Sequence, residues 1–134
     1  MPQINCSIVT PSKKYFEGDV YGVKAPGIVG EFETLPGHES FVSVLDVGIV
    51  EIELDENSEK IKFVIVGGYF EISEDRVFVI ADEVYSKDDI DVDDARKKLD
   101  KYRSELNGLS FDSAEYERIK RIVKKYEAMV EFAS

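Results

Sequence analysis

Apolar residues alternate with polar ones along most of the first 85 residues of the chain. Ile4, Cys6 and Ile8 fall on one side of an extended chain, and Thr10-Pro11-Ser12 ends that run. β-Branched and aromatic residues at this spacing, separated by glycine, proline and short polar residues, are typical of antiparallel strands. Further runs occupy residues 15–16, 20–25, 41–45 and 49–54, with turns at 26–27, 46–48 and 55–59.

The stretch from residue 61 to residue 83 is the most regular part of this pattern. Ile61, Phe63 and Ile65 share one side of the chain, and Val64 and Val66 share the other. The run then meets Gly67-Gly68, resumes at residues 69–72, turns at 73–75 and leaves as residues 77–80. Together the runs predict eight to ten short strands, a number typical of a β-sandwich or a flattened barrel.

After residue 86 the apolar period changes to that of an α-helix. Ala95, Leu99, Tyr102 and Leu106 fall on one helical face, and Asn107-Gly108 predicts a left-handed helix end. Amphipathic helices with a short connection bury their stripes against each other, so we expect an antiparallel two-helix hairpin at 86–134, behind a sandwich domain at 1–85. The second stripe consists of Tyr116, Ile119, Val123, Tyr126 and Val130.

The second helix carries signals for its start and for its polar side. Asp112 is its expected N-cap, Glu115 completes a capping box, and Phe111 can pack on Tyr116 as a hydrophobic staple. Its polar side is basic, which indicates either a solvated face or a surface that docks on an acidic partner. The basic residues are Arg118, Lys120, Arg121, Lys124 and Lys125.

The charge of the chain is acidic and uneven. The net charge is -11 over 134 residues; residues 1–87 hold 16 acids and 7 bases, and residues 88–134 hold 12 acids and 10 bases. Nucleic-acid phosphates need clustered Lys and Arg, so we expect no nucleic-acid partner. No apolar run approaches the roughly 20 residues that cross a bilayer, and the N-terminus lacks signal-peptide features. We therefore expect a soluble, intracellular protein that does not insert into the membrane.

Few residues offer chemistry of their own. Cys6 is the only cysteine, so we expect a small buried side chain and neither an internal disulfide nor a cysteine metal cluster. A catalytic hypothesis rests on His38, the only histidine, but no Ser or Cys nucleophile has a suitable context nearby. Glu31, Glu33 and Glu39 flank it and either bind a cation or form the polar rim of a shaped loop. A hydrolase working through His38 and a sandwich that binds sugars or small molecules remain alternatives.

Two motifs have a specific order and spacing. Gly30-Glu31 is followed by four residues and then by Pro36-Gly37-His38, and the run Val66-Gly67-Gly68-Tyr69-Phe70-Glu71-Ile72 is followed by residues 77–82. With the helical hairpin behind them, these motifs resemble the epsilon subunits of bacterial F-type rotary ATP synthases. The resemblance covers essentially the whole chain.

The resemblance implies a non-catalytic subunit of the central stalk. It implies an N-terminal antiparallel sandwich of about ten strands that packs on the gamma subunit and rests on the c-ring, so that they rotate together during proton-driven ATP synthesis. The subunit would lie at the cytoplasmic face of the cell membrane as a peripheral part of the complex. The implied c-ring contact loop comprises Glu31, Leu35, Pro36, Gly37 and His38, with Phe41 nearby.

The resemblance also implies a regulatory role for the helical hairpin. In this family the hairpin either folds down against the sandwich or extends along gamma into the catalytic head, where it blocks ATP hydrolysis. The basic residues between Arg118 and Lys125 would then face acidic elements of the beta subunits, within the ring of alpha and beta subunits.

The sequence departs from the family pattern in two places. Phe32-Glu33-Thr34 stands where family loops usually have a glycine and an aliphatic residue. Some members bind ATP through Ile or Leu, Asp, two residues, Arg and Ala; counted without gaps, Asp94 occupies the arginine position, and a shift of two residues restores Arg96. A regulatory ATP held by Asp93 and Arg96 is therefore a hypothesis. We expect no other cofactor and no metal.

Overall fold

The computed structural model describes residues 2–56 and 60–133 and divides them into strands followed by helices. The described strands are β1 (Ile4–Val9), β2 (Lys14–Val20), β3 (Gly22–Gly27), β4 (Gly30–Thr34), β5 (Phe41–Glu53), β6 (Lys60–Ser73) and β7 (Arg76–Tyr85). A 3-10 helix, Lys87–Asp89, leads to the helices α1 (Val92–Asn107) and α2 (Ala114–Ala133). Residues 57–59, part of the turn predicted at 55–59, lie outside the described residues.

The described strands form one continuous sheet in the order β2-β1-β7-β6-β5-β3-β4. Side chains from all seven strands meet in one core, so the sheet curves around its own interior as a β-sandwich. The predicted class is confirmed, but the expectation of about ten wholly antiparallel strands is wrong. The N-terminal strand β1 pairs with β7 in parallel, with Asn5 opposite Arg76 and Val9 opposite Ile80.

The strand count is lower than predicted because long strands replace pairs of short ones. The strand β5 continues through the turn predicted at 46–48, and β6 continues through Gly67-Gly68. Gly67 has φ +69° and Gly68 has φ +128°, values that other residues rarely adopt. Leu45 still pairs with Gly68, and the pairing resumes at Val66. The two glycines therefore bend β6 without ending its ladder.

The two sides of β6 serve different cores, as its alternation predicts. Phe63 and Ile65 point into the sandwich, whereas Val64 contacts the helical hairpin on the opposite side. Cys6 is fully buried in the sandwich, as predicted, and burial raises the pKa of its thiol to about 12. The thiol is therefore uncharged at neutral pH.

The predicted stripes of the two helices form the hairpin interface. Leu99, Ile119 and Val123 are buried between the helices, and the rings of Tyr102 and Tyr126 stack at 5.9 Å. A second cluster joins the hairpin to the sandwich. It contains Val64, Ala95, Ala128 and Met129, with Ile49, Tyr85, Ile90, Tyr126, Val130 and Phe132 at its margin.

Two predicted helix ends are wrong in detail. The amide of Tyr116 donates to Ser113 Oγ at 3.0 Å, so Ser113 caps α2 in place of Asp112, which accepts from Ser110 Oγ instead. The phenyl ring of Phe111 does lie 5.3 Å from the ring of Tyr116, as the staple predicts. Gly108 has φ -89° and not a left-handed conformation, and its amide donates to carbonyls of the last turn of α1.

The bend in β6 leads to a stability prediction. A Cβ at residue 68 would lie 2.1 Å from the carbonyl oxygen of Ile80 on the neighbouring strand, whereas a Cβ at Gly30, which also has positive φ, meets nothing within 4 Å. We expect Gly30→Ala to lower the free energy of unfolding by about 1 kcal/mol through backbone strain alone, and Gly68→Ala by about 3 kcal/mol or more. Urea unfolding at 25 °C measures both; equal losses would show that the close approach at residue 68 is unimportant.

Candidate functional site

The loop implied as a contact region contains a preformed β-turn. The amide of His38 donates to the carbonyl of Leu35 at 3.1 Å, Pro36 occupies the second position, and Gly37 has φ +85° at the third. Proline and a positive-φ glycine at these positions define a type II turn. Leu35, Gly37 and His38 are exposed and Pro36 is half-buried, so the turn offers its surface to solvent.

Aromatic packing fixes the loop on the sandwich. The ring of Phe41 lies 5.1 Å from the ring of Phe32 and 6.0 Å from that of Phe70, and Phe32 lies 4.8 Å from Phe70. Such edge and tilted contacts stabilise aromatic clusters beyond the area they bury. His38 Nδ1 bonds the Glu39 carbonyl at 2.8 Å, and its ring lies 5.8 Å from that of Phe41.

These contacts explain the departure of this loop from the family pattern. Phe32 fills the space between Phe41 and the core, and the buried Thr34 donates its hydroxyl to the carbonyl of Val23. Glu31 stays exposed on β4, 3.9 Å from the ammonium of Lys24. Within residues 2–56 and 60–133, no three His, Cys, Asp or Glu side chains converge as metal ligands would.

A second surface, the apolar face, was not identified from the sequence. We define it as the exposed outer side of β5, β6 and β7. Its register places Val44 opposite Tyr69 and Tyr69 opposite Ile80, so the side chains adjoin across three strands. Tyr69 is 59% exposed and Val42 is 65% exposed. The face consists of Val42, Val44, Tyr69, Phe78 and Ile80.

The sequence did contain a signal for this face. Residues 77–80 are apolar on both sides of their strand, and Tyr69 adds an apolar ring on the outer side of β6, which a sheet with one solvated face does not need. Contiguous exposed apolar side chains of this kind mark protein interaction surfaces.

Three basic side chains of α2 bind carboxylates of the sandwich, and we call these pairs the latch. Arg121 Nη2 lies 2.9 Å from Asp82 Oδ2, and Lys124 Nζ lies 3.0 Å from Asp46 Oδ2. The third pair joins Lys125 Nζ to Glu83 Oε1 at 2.8 Å. Part of the basic face predicted to be solvated or to bind a partner is therefore turned toward the acidic sandwich.

The latch includes backbone and aromatic groups. Arg121 also donates to the carbonyl of Val66 at 3.3 Å, beside Gly67, where a Cβ would lie 2.2 Å from the guanidinium nitrogen. Lys125 Nζ lies 5.0 Å from the ring centre of Tyr85, a cation–π distance. Because Gly67 has no side chain, the guanidinium can approach the bend of β6.

The other two basic residues border the sandwich but make no ion pair with its described residues. Arg118 pairs with Glu115 on its own helix. Lys120 is exposed and makes no ion pair within the described part of the chain. The five residues thus divide into three that pair with carboxylates of the sandwich and two that do not.

The latch lowers the pKa of two carboxyl groups. Burial opposes ionisation of Asp46, but the amide of Val47 and the ammonium of Lys124 outweigh it, so the pKa of Asp46 lies below its ordinary value. Burial likewise opposes ionisation of Glu83, while hydrogen bonds from Lys125 and Tyr85 lower the pKa of that carboxyl. Lys125 is affected in the reverse sense, because its bonds to Glu83 and Tyr85 overcome burial and raise its pKa.

The residues considered for ATP lie at the start of α1. Asp93 and Arg96 are exposed, with 4.0 Å between the carboxylate and the guanidinium, and Asp91 caps the helix by accepting from two backbone amides. Neither residue lines the neighbouring cleft of about 320 Å³ between the two helices and the end of β7. In that cleft, Lys98 and Lys125 are already paired with Asp94 and Glu83.

This arrangement does not fit a triphosphate. Five carboxylates lie between residues 88 and 94, and like charges repel at close range. Binding of ATP by Asp93 and Arg96 stays a prediction that the geometry does not favour.

The depressed pKa values predict how hairpin docking depends on pH. A carboxyl group with a lowered pKa in the folded state stabilises that state above its ordinary pKa and loses this contribution as pH falls through the folded pKa. The ordinary values are 3.8 for Asp46 and 4.5 for Glu83, so we expect docking to weaken progressively below about pH 4.5. Methyl NMR resonances of Val64, under the hairpin, should change before those of Ile8, inside the sandwich. Simultaneous change of both would mean that the latch does not control docking.

Comparison with known proteins identifies the family of this fold. Residues 3–87 match the family described as "ATP synthase, Delta/Epsilon chain, beta-sandwich domain". The ATP synthase epsilon chain of Geobacter metallireducens is 32% identical over 114 residues, covering 85% of this chain and 81% of the relative. That of Campylobacter curvus is 34% identical over 128 residues, covering 90% of this chain and 98% of the relative.

Solved structures agree with the sequence relatives. A chain in the cryo-EM structure of Euglena gracilis mitochondrial ATP synthase, OSCP/F1/c-ring in rotational state 1, superimposes with a TM-score of 0.82 at 25% identity, covering 96% of this chain and 79% of that chain. A chain of the Tetrahymena thermophila mitochondrial enzyme, central stalk/c-ring, shares the fold at 14% identity, with a TM-score of 0.69 and coverage of 97% and 96%.

These findings decide between the hypotheses raised by the sequence. The hydrolase hypothesis centred on His38 is not supported, because the relatives are stalk subunits and not enzymes in their own right. No helix among the described residues is both long and apolar enough to cross a membrane. The chain belongs to the epsilon chain family of F-type ATP synthases, and it is a non-catalytic subunit of the central stalk of this rotary complex.

Proposed function

We propose that the chain couples rotation of the gamma subunit to the c-ring during proton-driven ATP synthesis, and that its hairpin restrains ATP hydrolysis. The observation that carries this proposal is the presence of two separate, preformed contact surfaces on one rigid sandwich. One is the apolar face, and the other is the loop around the turn at 35–38. A coupling subunit needs two such surfaces, because it must hold the shaft and the ring at once.

The apolar face is the proposed contact with gamma. Val44, Tyr69 and Ile80 adjoin across β5, β6 and β7, with the aromatic ring in the middle, and Val42 and Phe78 flank Glu71 in the neighbouring row. The centres of stable interfaces are rich in such residues and poor in charge. Exposed apolar side chains in this number are unfavourable in water, so a permanent partner explains them best.

The loop is the proposed contact with the c-ring. Glu31 and His38 provide polar groups, and Leu35 and Pro36 provide apolar surface. The type II turn and the cluster around Phe41 fix this surface before a partner arrives. A preformed contact loses little conformational entropy on binding, which favours tight association. Contact with the ring would place the chain at the cytoplasmic face of the cell membrane as a peripheral subunit.

The latch supports the proposed regulation. While the hairpin is docked, Arg121, Lys124 and Lys125 are neutralised by the sandwich. When the hairpin extends along gamma, these three cations become available, together with Arg118 and Lys120, to acidic elements of the beta subunits in the ring of alpha and beta subunits. Exchange of one set of carboxylates for another needs little net free energy, because both states satisfy the same cations.

The contact with gamma can be tested by removing one aromatic side chain. We expect Tyr69→Ser to weaken binding to a complex that lacks this subunit by about 10-fold to 100-fold, the loss typical of a central interface aromatic. The thermal midpoint of the free chain should change little, because Tyr69 is 59% exposed. Phe111→Ser is the matched control, since Phe111 is 81% exposed but lies between the helices, away from the apolar face. Equal effects of the two variants would contradict the assignment.

The regulatory role can be tested from the sandwich side of the latch, which leaves the hairpin unchanged. We expect Asp82→Asn to weaken docking by removing the partner of Arg121, and therefore to increase inhibition of ATP hydrolysis in the reconstituted complex by about threefold to tenfold. Glu74→Gln makes the same change of charge at the far end of β7, where the described residues show no contact with the hairpin. Weaker inhibition by Asp82→Asn would mean that the docked hairpin, and not the extended one, restrains hydrolysis.

A further inference from the structure

Asp75 connects the loop at 35–38 to a distant part of the sandwich. Its Oδ1 accepts a hydrogen bond from the backbone amide of Gly37 at 2.9 Å, across 38 positions of sequence. Asp75 lies at the tip of the two-residue turn between β6 and β7, in which Ser73 pairs with Arg76. The bond therefore ties the proposed ring-contact loop to a different loop of the molecule.

The amide that Asp75 binds determines the type of turn. Type I and type II turns share the bond between the first carbonyl and the fourth amide, here from His38 to Leu35, and differ in the orientation of the central peptide. The central peptide joins Pro36 to Gly37. Peptide bonds here are trans, so the N–H of Gly37 and the carbonyl of Pro36 point in opposite directions. When the carboxylate of Asp75 accepts from this N–H, the carbonyl of Pro36 points away from that carboxylate.

Asp75 is itself held firmly. Its carbonyl accepts a hydrogen bond from the amide of Asn5 at 2.9 Å, which extends the pairing of β1 with β7 to the tip of the turn. The acceptor for Gly37 therefore belongs to the sheet and not to a free loop. The hydrogen bond from the amide of Gly37 therefore ends on a residue fixed in the sandwich. This bond restricts the motion of the turn at 35–38.

Asp75 has a left-handed backbone conformation, which aspartate adopts more readily than most residues but less readily than glycine. Glu74 and Asp75 have φ +50° and +58°, in the left-handed region where two-residue hairpin turns usually have Asn and Gly. Glycine at residue 75 would remove the strain but also the carboxylate. The chain retains a strained residue at the point where its side chain contacts the loop.

We propose that Asp75 is a positioning residue that selects the type II conformation of the turn at 35–38 and so presets the surface offered to the c-ring. The inference rests on the proposed function of that loop. Asp75 acts on binding to the ring through the loop. It raises the fraction of free chains in which the loop already has the binding conformation.

The test compares Asp75→Gly with Asp75→Asn in the full chain. Asp75→Gly relieves the strained backbone but removes the acceptor, so the thermal midpoint should not fall while the NMR exchange rate of the Gly37 amide rises about threefold to tenfold, the fold-change of one hydrogen bond. Asp75→Asn tolerates the left-handed conformation and keeps an acceptor oxygen, so it should restore slow exchange. Glu74→Gln controls for the loss of one negative charge beside the loop.

The second measurement is the apparent affinity of each variant for an ATP synthase complex depleted of this subunit, scored by ATP-driven proton pumping. We expect Asp75→Gly to weaken the affinity about threefold to tenfold and Asp75→Asn to preserve it. Unchanged exchange of Gly37, or faster exchange with full affinity, would overturn the positioning role. The combined variant Glu31→Ala, His38→Ala separates this result from the proposed function. If that variant also keeps full affinity, the loop is not the ring contact and the proposed function fails instead.

Discussion

Because Gly67 and Gly68 have no side chains, the sandwich and the hairpin can pack together at the bend of β6. At residue 68 the backbone of β6 passes so close to Ile80 that no Cβ fits, and the bend lets the strand continue its pairing with β5. At residue 67 the same absence leaves room for the guanidinium of Arg121. The constraint that arises in strand packing therefore also creates the place where α2 docks. It links the folding of the sheet to the position of the hairpin.

The uneven charge of the chain is partly compensated within the molecule. Most of the acidic excess lies in the sandwich, and three of the bases of α2 pair with Asp46, Asp82 and Glu83. The Arg121–Asp82 pair is largely accessible to water, whereas the Lys124 and Lys125 pairs are part-buried. A pair accessible to water contributes little to stability by itself. Such a pair can exchange one carboxylate for another without leaving a buried charge unpaired.

The apolar clusters show how rigid and movable parts are separated. The loop around the turn at 35–38 is fixed by Phe32, Phe41 and Phe70 and is continuous with the sandwich core. The hairpin instead contacts the sandwich through a smaller cluster around Val64 and through ion pairs. Because burial of apolar area dominates the free energy of packing, the loop is held more firmly than the hairpin. This order of strength agrees with the proposed function, in which the loop transmits torque and the hairpin moves.

The sequence by itself determined the class of the fold, the stripes of both helices and the identity of the loop at 35–38. Local periodicity, propensity and the Pro-Gly turn decide these features, and they act over a few neighbouring residues. It misjudged the strand count and the cap of α2, because glycines can bend a strand as well as end it and because Ser113 and Asp112 are both good caps. Only the tertiary structure decided which carboxylates meet Arg121, Lys124 and Lys125, which outer residues of three strands adjoin as the apolar face, and that Asp75 reaches Gly37. These contacts join residues tens of positions apart, so the register of the sheet and the docking of the hairpin, and no local pattern, bring them together.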